Sequence, residues 1–345
     1  MHEFKELFLH LQNAWRENEK TVLVILTNVR GSAYRLPGSK MLMTSSGKMF
    51  GSVSGGCLEP DLYAWAEKVF ETGTPLIRNY DLSDTEIWSL GIGCKGDLQF
   101  LFLPVSAGDM QWGKVLELLN QQHSFSLMID METGEIDVLE VQQQVGIQKQ
   151  TFPIAVVQEA RQSFPSQTRG KVMSFAQKNY FIDAVKKSEH LIIAGAGQDA
   201  IPVAKLAHLS GFSITIIDSR AHFNNEQRFP KTTHITNPLE VDFKTLRNSW
   251  WVIMNHHQHK DEEILAIAIE SEPKYIGVLG PAYRTNEMLR HIGYDMTSGP
   301  IYSPIGLDIG AETMDEVAIS IVSELMSLRA GRAGGFLHGR AKIHV

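Results

Sequence analysis

The sequence predicts an α/β protein in two parts, a mixed α/β N-terminal domain over residues 1–187 and a doubly wound parallel-sheet domain over 188–345. Two observations predict this. From residue 190 onward, apolar strand-like runs alternate with helix-like runs, the pattern of strands joined by crossover helices. Before residue 187, strand-like runs follow one another across Gly/Pro-punctuated turns, with few helical patterns between them. A length of 345 residues also suits about two domains at roughly 150 residues each.

The elements follow in order. Residues 3–18 repeat Leu7, Leu11 and Trp15 at spacing four, which predicts a helix with one apolar face. TVLVILTNV (21–29) reads as a buried strand. GSAYRLPGSKMLMT (31–44) is a loop followed by a short strand, and KMFGSVSG (48–55) alternates like a strand. LEPDLYAWAEKVFETG (58–73) predicts a helix stopped by Gly73, and DLQFLFLPV (97–105) a further buried strand. The stretch 106–187 is less patterned. Within it, SFSLMIDMETGEIDVLEV predicts a hairpin turning at Thr133-Gly134, RQSFPSQTRGK a loop, and QKNYFIDAV a last strand that completes the first domain.

In the second domain, HLIIAGAGQDAIPVAKLAHLSGFSITIIDSR is strand, glycine turn, helix, strand: one βαβ unit in about thirty residues. SWWVIMNHHQHKD predicts a strand and a loop, EEILAIAIES a helix, KYIGVLG a strand and AYRTNEMLRHIG a helix. A final helix carries Val317, Ile321, Leu325 and Leu328 as its buried stripe. Thr313 and Glu316 at its start have capping-box spacing.

With 32 basic and 39 acidic residues the net charge is −7, which offers no broad electrostatic reason to bind nucleic acid or an anionic membrane. The N-terminal stretch is charged, without a signal-peptide apolar core, and no stretch reaches the roughly 20 apolar residues of a membrane span. Two cysteines do not make a disulfide framework. Together these features predict a cytoplasmic protein with reduced thiols.

Three places hold residue types suited to chemistry. Gly195-Ala196-Gly197-Gln198-Asp199-Ala200 fits GxGxxA behind an apolar strand. The first glycine allows the tight turn, the second lets a pyrophosphate approach the backbone, and the helix start offers free N–H groups. This makes the second domain Rossmann-like. Asp218 follows about twenty residues on, where an acid accepts from a ribose hydroxyl, and Arg220 beside it suits a 2′-phosphate. Either a dinucleotide such as NAD(P) or FAD binds here, or the scaffold holds something else or nothing. His256, His257 and His259 with Asp261 follow a strand of the same domain. They read as a ligand-facing polar loop, a metal cluster or a plain surface loop. The Ser303–Thr313 stretch is explained as a capping loop at Thr313 and Glu316, less so at Asp308. Finally, Gly55-Gly56-Cys57 and Gly93-Cys94 each place a thiol behind a glycine in a turn. They are either two small buried residues or soft ligands for metal or sulfur.

With these residues in view, the sequence resembles the XdhC/CoxI family, accessory factors of xanthine dehydrogenase and related molybdenum hydroxylases. GSAYRLPGSKM, GSVSGGCLEPDL and LGIGCKGDLQFLFLP resemble the family's first three boxes, with Lys95 in the variable place of the third. GAGQDA, IIDSR, RFP and MNHHQHKD resemble its Rossmann part, with Asn255 where threonine is usual. IGVLGPAYR and SPIGLDIGAETMDEVAISIVSE resemble the last boxes, with Met314 in place of proline, and Ile343-His344 fits the family's tail. The resemblance implies a homodimeric chaperone with little turnover of its own. It would bind molybdenum cofactor (molybdopterin carrying Mo), bring it to a cysteine desulfurase or sulfurase, and hand it to the apo-hydroxylase. The implied cleft lies between the domains. It is built from Gly31, Ser32 and Gly38, from Gly55, Gly56, Cys57 and Glu59, from Gly93 and Cys94, from Gly195, Gly197 and Gln198, and from Asp218, Arg220, His256 and Asp308. Cys57 and Cys94 are the Mo- or sulfur-handling candidates. Two alternatives stay open: an NAD(P)-dependent oxidoreductase, and a scaffold that docks sulfurase and hydroxylase without touching the cofactor.

Overall fold

Strand β1 (Thr21–Gly31) is buried along its first seven residues, and the reason is its alternation. Val22, Val24 and Leu26 face one apolar cluster and Leu23 and Ile25 face another. A strand covered on both faces reads as a continuous apolar run. The computed structural model describes residues 2–81, 96–141, 151–237 and 243–339. The chain divides into two units, Met1–Lys187 and Ser188–Val345.

In the first unit, β1 is the centre of a five-stranded antiparallel sheet. Its other strands are β2 (Lys40–Thr44), β3 (Met49–Gly51), β4 (Leu76–Asp81) and β5 (Gly96–Val105), in the order β3-β2-β1-β5-β4. Helix α1 (His2–Arg16) buries Phe4, Leu7, Phe8, Leu11 and Ala14; Leu7 and Leu11 are on the stripe read from sequence, and Trp15 is half-buried beside it. Helix α2 (Glu59–Thr72) packs Leu62, Ala66 and Val69 on the opposite face and ends at Gly73 in the left-handed conformation. The predicted strand 48–55 is shorter than its alternation suggested. Only Met49–Gly51 pair with β2, because Gly55 and Gly56 adopt positive φ and the polar groups of Ser52 and Ser54 turn to a side chain.

The rest of this unit carries helices α3 (Met110–Asn120) and α4 (Ile154–Ser163), which the residue pattern did not reveal. In α3 the signals are Asp109, whose carboxylate caps the Gln111 and Trp112 N–H groups, and the buried Trp112, Val115 and Leu118. The expected loop RQSFPSQTRGK begins as the last turn of α4. A second antiparallel sheet has the order β7-β6-β9-β8, from β6 (Phe125–Asp130), β7 (Ile136–Glu140), β8 (Lys171–Phe175) and β9 (Lys178–Val185). The hairpin at Thr133-Gly134 is there, with Gly134 at φ 75°.

The two sheets of this unit meet at Gly38 and Lys40. Gly38 has φ 100°, and a Cβ on it would lie 3.0 Å from Gly170 N. A Cβ on Gly170 would run into the Phe181 ring at 2.2 Å, so two glycines make this crossing. The Lys40 ammonium pairs with the Asp183 carboxylate, donates to Gly38 O at 2.9 Å, and sits 4.5 Å from the Phe4 ring centroid. The side chains of Lys40 and Asp183 are 7% and 11% exposed, so each charge depends on the other.

The second unit is a six-stranded, wholly parallel sheet. Its strands are β10 (His190–Ala194), β11 (Ser213–Ile217), β12 (Thr233–Ile235), β13 (Trp250–Ile253), β14 (Tyr275–Val278) and β15 (Ile301–Tyr302), in the order β12-β11-β10-β13-β14-β15. Helices α5 (Ala200–Leu209) and α8 (Met314–Arg329) cover one face, and α6 (Gln258–Glu270) and α7 (Ala282–His291) the other. This is the doubly wound Rossmann arrangement, and its strand order reverses between β10 and β13. The Thr313–Glu316 capping box forms, with both reciprocal hydrogen bonds. No helix among the described residues is long and apolar enough to cross a membrane.

Breaking the buried pair tests the junction of the two sheets. Lys40→Met alone strands the Asp183 carboxylate and is expected to cost about 3–5 kcal/mol in urea denaturation. The double change Lys40→Met with Asp183→Leu is expected to recover most of that loss.

Candidate functional site

Local backbone conformation explains how the carboxyl edge of the parallel sheet presents its residues. Gly195 follows β10 at φ 117°. A Cβ there would lie 2.5 Å from Met254 O, so the turn is pressed against the end of β13 and only glycine fits. On the other side of that contact, His256 takes φ 56°, an uncommon conformation for a residue with a side chain. Its Nε2 meets Asp199 Oδ2 at 2.6 Å. Asn255, just before it, is fixed by Asp261 Oδ1, which accepts from both its backbone and its amide N–H groups at 3.1 Å. Asp261 is buried and its second oxygen takes Arg284 Nη2 at 2.5 Å. The expected loop NHHQHKD is therefore short: α6 begins at Gln258, and His259, Lys260 and Asp261 belong to its first turn.

Asp218 directly follows β11 and is only 4% exposed. Its Oδ2 accepts from Ala196 N at 2.9 Å and from Arg220 Nη2 at 2.6 Å. Its Oδ1 accepts from Arg220 N and Nε, both at 2.9 Å. Four donors fill the carboxylate, so it offers no acceptor to a ribose hydroxyl while Arg220 stays in place. Burial opposes its charge, but the Arg220 side chain and the Arg220 and Ala196 N–H groups outweigh that and hold its pKa at about 2. The Arg220 guanidinium lies over the Phe223 ring, and Arg228 lies over the same ring at 4.8 Å. Arg228 Nη2 reaches Ala196 O at 3.1 Å and Gly197 O at 3.3 Å, and its Nε is buried without a hydrogen-bond partner.

The structure thus gathers Gly195, Gly197, Gln198, Asp218, Arg220 and His256 at one sheet edge. Asp308 lies beyond β15 and is exposed; Leu307 before it is anchored to α8 through Ser320 Oγ, which donates to Leu307 O at 2.6 Å. Sequence reasoning passed over Asp199, Arg228 and Arg284. Asp199 stood in a free place of GxGxxA, although an acid at a helix start is a visible signal. The HHxH cluster separates: His256 turns to Asp199, His259 Nδ1 lies 3.5 Å from Glu262, and the His257 and His259 rings are 6.0 Å apart. Among the described residues no group of three or more His, Cys, Asp or Glu is disposed to hold a metal ion.

In the first unit, Gly55, Gly56 and Cys57 form an exposed turn before α2. Glu59 holds this turn from inside. Its carboxylate accepts from Ser52 Oγ at 2.8 Å, Ser54 N at 3.2 Å and Leu58 N at 3.1 Å, and from the Ser54 hydroxyl. Burial opposes its charge; the Ser54 and Ser52 hydroxyls and the local N–H groups win and keep the carboxyl below its ordinary range. Glu59 therefore braces the turn rather than facing a ligand. The Cys57 thiol points back to Ser54, 3.6 Å from its carbonyl oxygen. Cys57 is exposed, which corrects the reading of it as a small buried residue. Tyr34, three residues beyond the exposed Gly31 and two beyond the exposed Ser32, lies across Gly55; a Cβ there would be 2.9 Å from its ring. Gly38 is not in this cluster, being committed to the Gly170 crossing. Gly93 and Cys94 lie outside the described residues.

These features define a Rossmann-type unit that follows, in sequence, a unit presenting a thiol on a braced glycine turn. Residues 191–325 match the family model described as the XdhC Rossmann domain, and residues 14–81 that described as the XdhC and CoxI family. The chain thus carries XdhC/CoxI-family domains in both of its units. A Bacillus subtilis (strain 168) protein, named as a probable xanthine dehydrogenase subunit, is 29% identical over 323 residues, 91% of this chain and 94% of its own length. The Escherichia coli (strain K12) molybdenum cofactor insertion chaperone PaoD is 24% identical over 314 residues, 89% of this chain and 83% of its own. A crystal structure of a Bacillus halodurans protein described as a xanthine dehydrogenase has a TM-score of 0.75 and 29% identity, covering 96% of this chain and 97% of that one.

The Asp218 contacts carry a pH signature. Its pKa of about 2 in the fold lies below the ordinary value of roughly 3.9, so the ionised form favours the folded state. That contribution is complete above about pH 4 and is lost as pH falls towards 2. Asp218→Asn is expected to be less stable than the parent at pH 7 and to lose less on acidification, as read by denaturant midpoints at pH 7, 4 and 3.

Proposed function

We propose that the chain is a maturation factor for a molybdenum hydroxylase. It binds molybdenum cofactor as cargo, supports its sulfuration by a partner sulfurase, and delivers it to a xanthine dehydrogenase-type apoenzyme. The observation that carries this reading is the likeness to a molybdenum cofactor insertion chaperone along 89% of the chain. Two relatives carry the name xanthine dehydrogenase, but 345 residues with two cysteines cannot supply the thiolates of iron–sulfur clusters beside a complete molybdenum centre.

The residues present fit such a cargo in kind. Molybdopterin is anionic, and Arg228, with its orphaned buried Nε, and Arg220 flank the Gly195–Gln198 turn beside Phe223. His256 and the exposed Asp308 are further polar groups on the same unit. Cys57 offers an exposed soft ligand on the first unit, and we assign Cys94 the same role from its motif. The cargo's chemistry is exercised in the recipient enzyme; this chain's groups hold, shield and release. The saturated carboxylate of Asp218 disfavours the NAD(P) alternative, since the ribose acceptor is spent within the protein.

The test is protein purified anaerobically from cells that make molybdopterin, analysed for molybdenum and for pterin fluorescence after oxidation of the extract. Near-stoichiometric pterin and molybdenum are expected, with a loss of about tenfold or more in retained molybdenum for Cys57→Ala. A nicotinamide or flavin nucleotide in place of pterin would overturn the reading.

A further inference from the structure

In open α/β sheets ligands lie in the crevice where the strand order reverses, which here is between the ends of β10 and β13. That crevice is spanned by a hydrogen bond between two of the protein's own side chains. Asp199 comes from the turn after β10 and His256 from the turn after β13.

Three observations define what Asp199 does there. As the residue before α5 it occupies the N-cap position, yet its side chain makes no capping hydrogen bond. Its Oδ1 instead lies over Gly197, where a Cβ would be only 2.5 Å away. This is the space that the second glycine of such a turn leaves open for a phosphate. Its Oδ2 is held by His256, whose left-handed backbone is fixed through Asn255, Asp261 and Arg284. The surrounding charges are committed elsewhere: Arg220 to Asp218, Arg228 to the carbonyls of Ala196 and Gly197, and Lys260 to Ser219 Oγ.

We propose that Asp199, held by His256, is a resident anion at this turn, which a ligand phosphate must displace in order to bind. Displacement frees His256 Nε2 to donate to the incoming phosphate. The pair sets how firmly the ligand is kept, and the ligand class is a phosphate ester. The inference rests on the cofactor-carrier reading for the identity of that ester, but not for the latch itself. A resident carboxylate weakens retention by charge repulsion and so favours hand-off.

The experiment compares the full chain with its Asp199→Asn, Asp199→Ala and His256→Gln variants. Asn preserves an acceptor for His256 and removes the charge; thermal melts of all variants check folding. Two probes are used: molybdopterin, followed by anaerobic ultrafiltration, and NAD+, followed by calorimetry. Asp199→Asn is expected to hold molybdopterin about tenfold or more tightly than the parent and to release it more slowly, with His256→Gln weaker than the parent. If parent and Asp199→Asn both bind molybdopterin, equally or with the variant weaker, and NAD+ binding is unchanged as well, the latch is wrong and the carrier reading stands. If Asp199→Asn gains affinity for NAD+ and not for molybdopterin, the latch stands and the carrier reading falls. If neither probe separates the folded Asp199 variants from the parent, the latch is wrong.

Discussion

The Asp218 carboxylate fixes the geometry on which the second unit depends. It ties the end of one parallel strand to the glycine turn of its neighbour through the Ala196 N–H, and it fixes Arg220 in the same stroke. A buried carboxylate is costly unless its acceptors are filled, and here four donors fill them. The turn in front of α5 is therefore shaped before any ligand arrives, and the carboxylate that elsewhere reads a ribose serves here as a brace.

The two units solve the burial of their sheets differently. In the first, the segments leading into two antiparallel strands touch at Gly38 and Gly170, and a buried Lys40–Asp183 pair sits beside that contact. In the second, parallel strands need crossover helices, so both faces are covered and polar function is left to the strand ends. That is why Asp199, Asp218, His256 and Arg284 come together although they are spread across some eighty residues of sequence.

Much of the second unit was legible because its signals are local. The apolar runs at 190–194 and 213–217, the GxGxxA turn and the capping box at Thr313 each lie in one short stretch. The first unit was harder. Helix α4 begins after a proline and has a weak apolar stripe of Val156, Val157 and Ala160, so neighbouring Gln and Ser residues masked it. The Gly55-Gly56-Cys57 turn was legible as a turn, but the part played by Glu59 was not, since the sequence does not say which way a carboxylate faces. Asp218 misled for the same reason: its place after the strand matched a ribose acceptor, while its saturation by Arg220 and Ala196 is a property of three dimensions. Gly38 likewise matched a ligand-loop glycine, and the structure spends it on a contact with Gly170.

The brace beneath Cys57 has a thermodynamic meaning. Glu59 gathers Ser52, Ser54 and Leu58 into one hydrogen-bonded knot, and two positive-φ glycines lie between Ser54 and the thiol. The ordering entropy of that loop is settled when the chain folds, not when something meets the sulfur. A soft ligand meeting Cys57 would therefore demand little reorganisation of the protein. Its exchange would be set by the chemistry of the bond rather than by the opening of a loop.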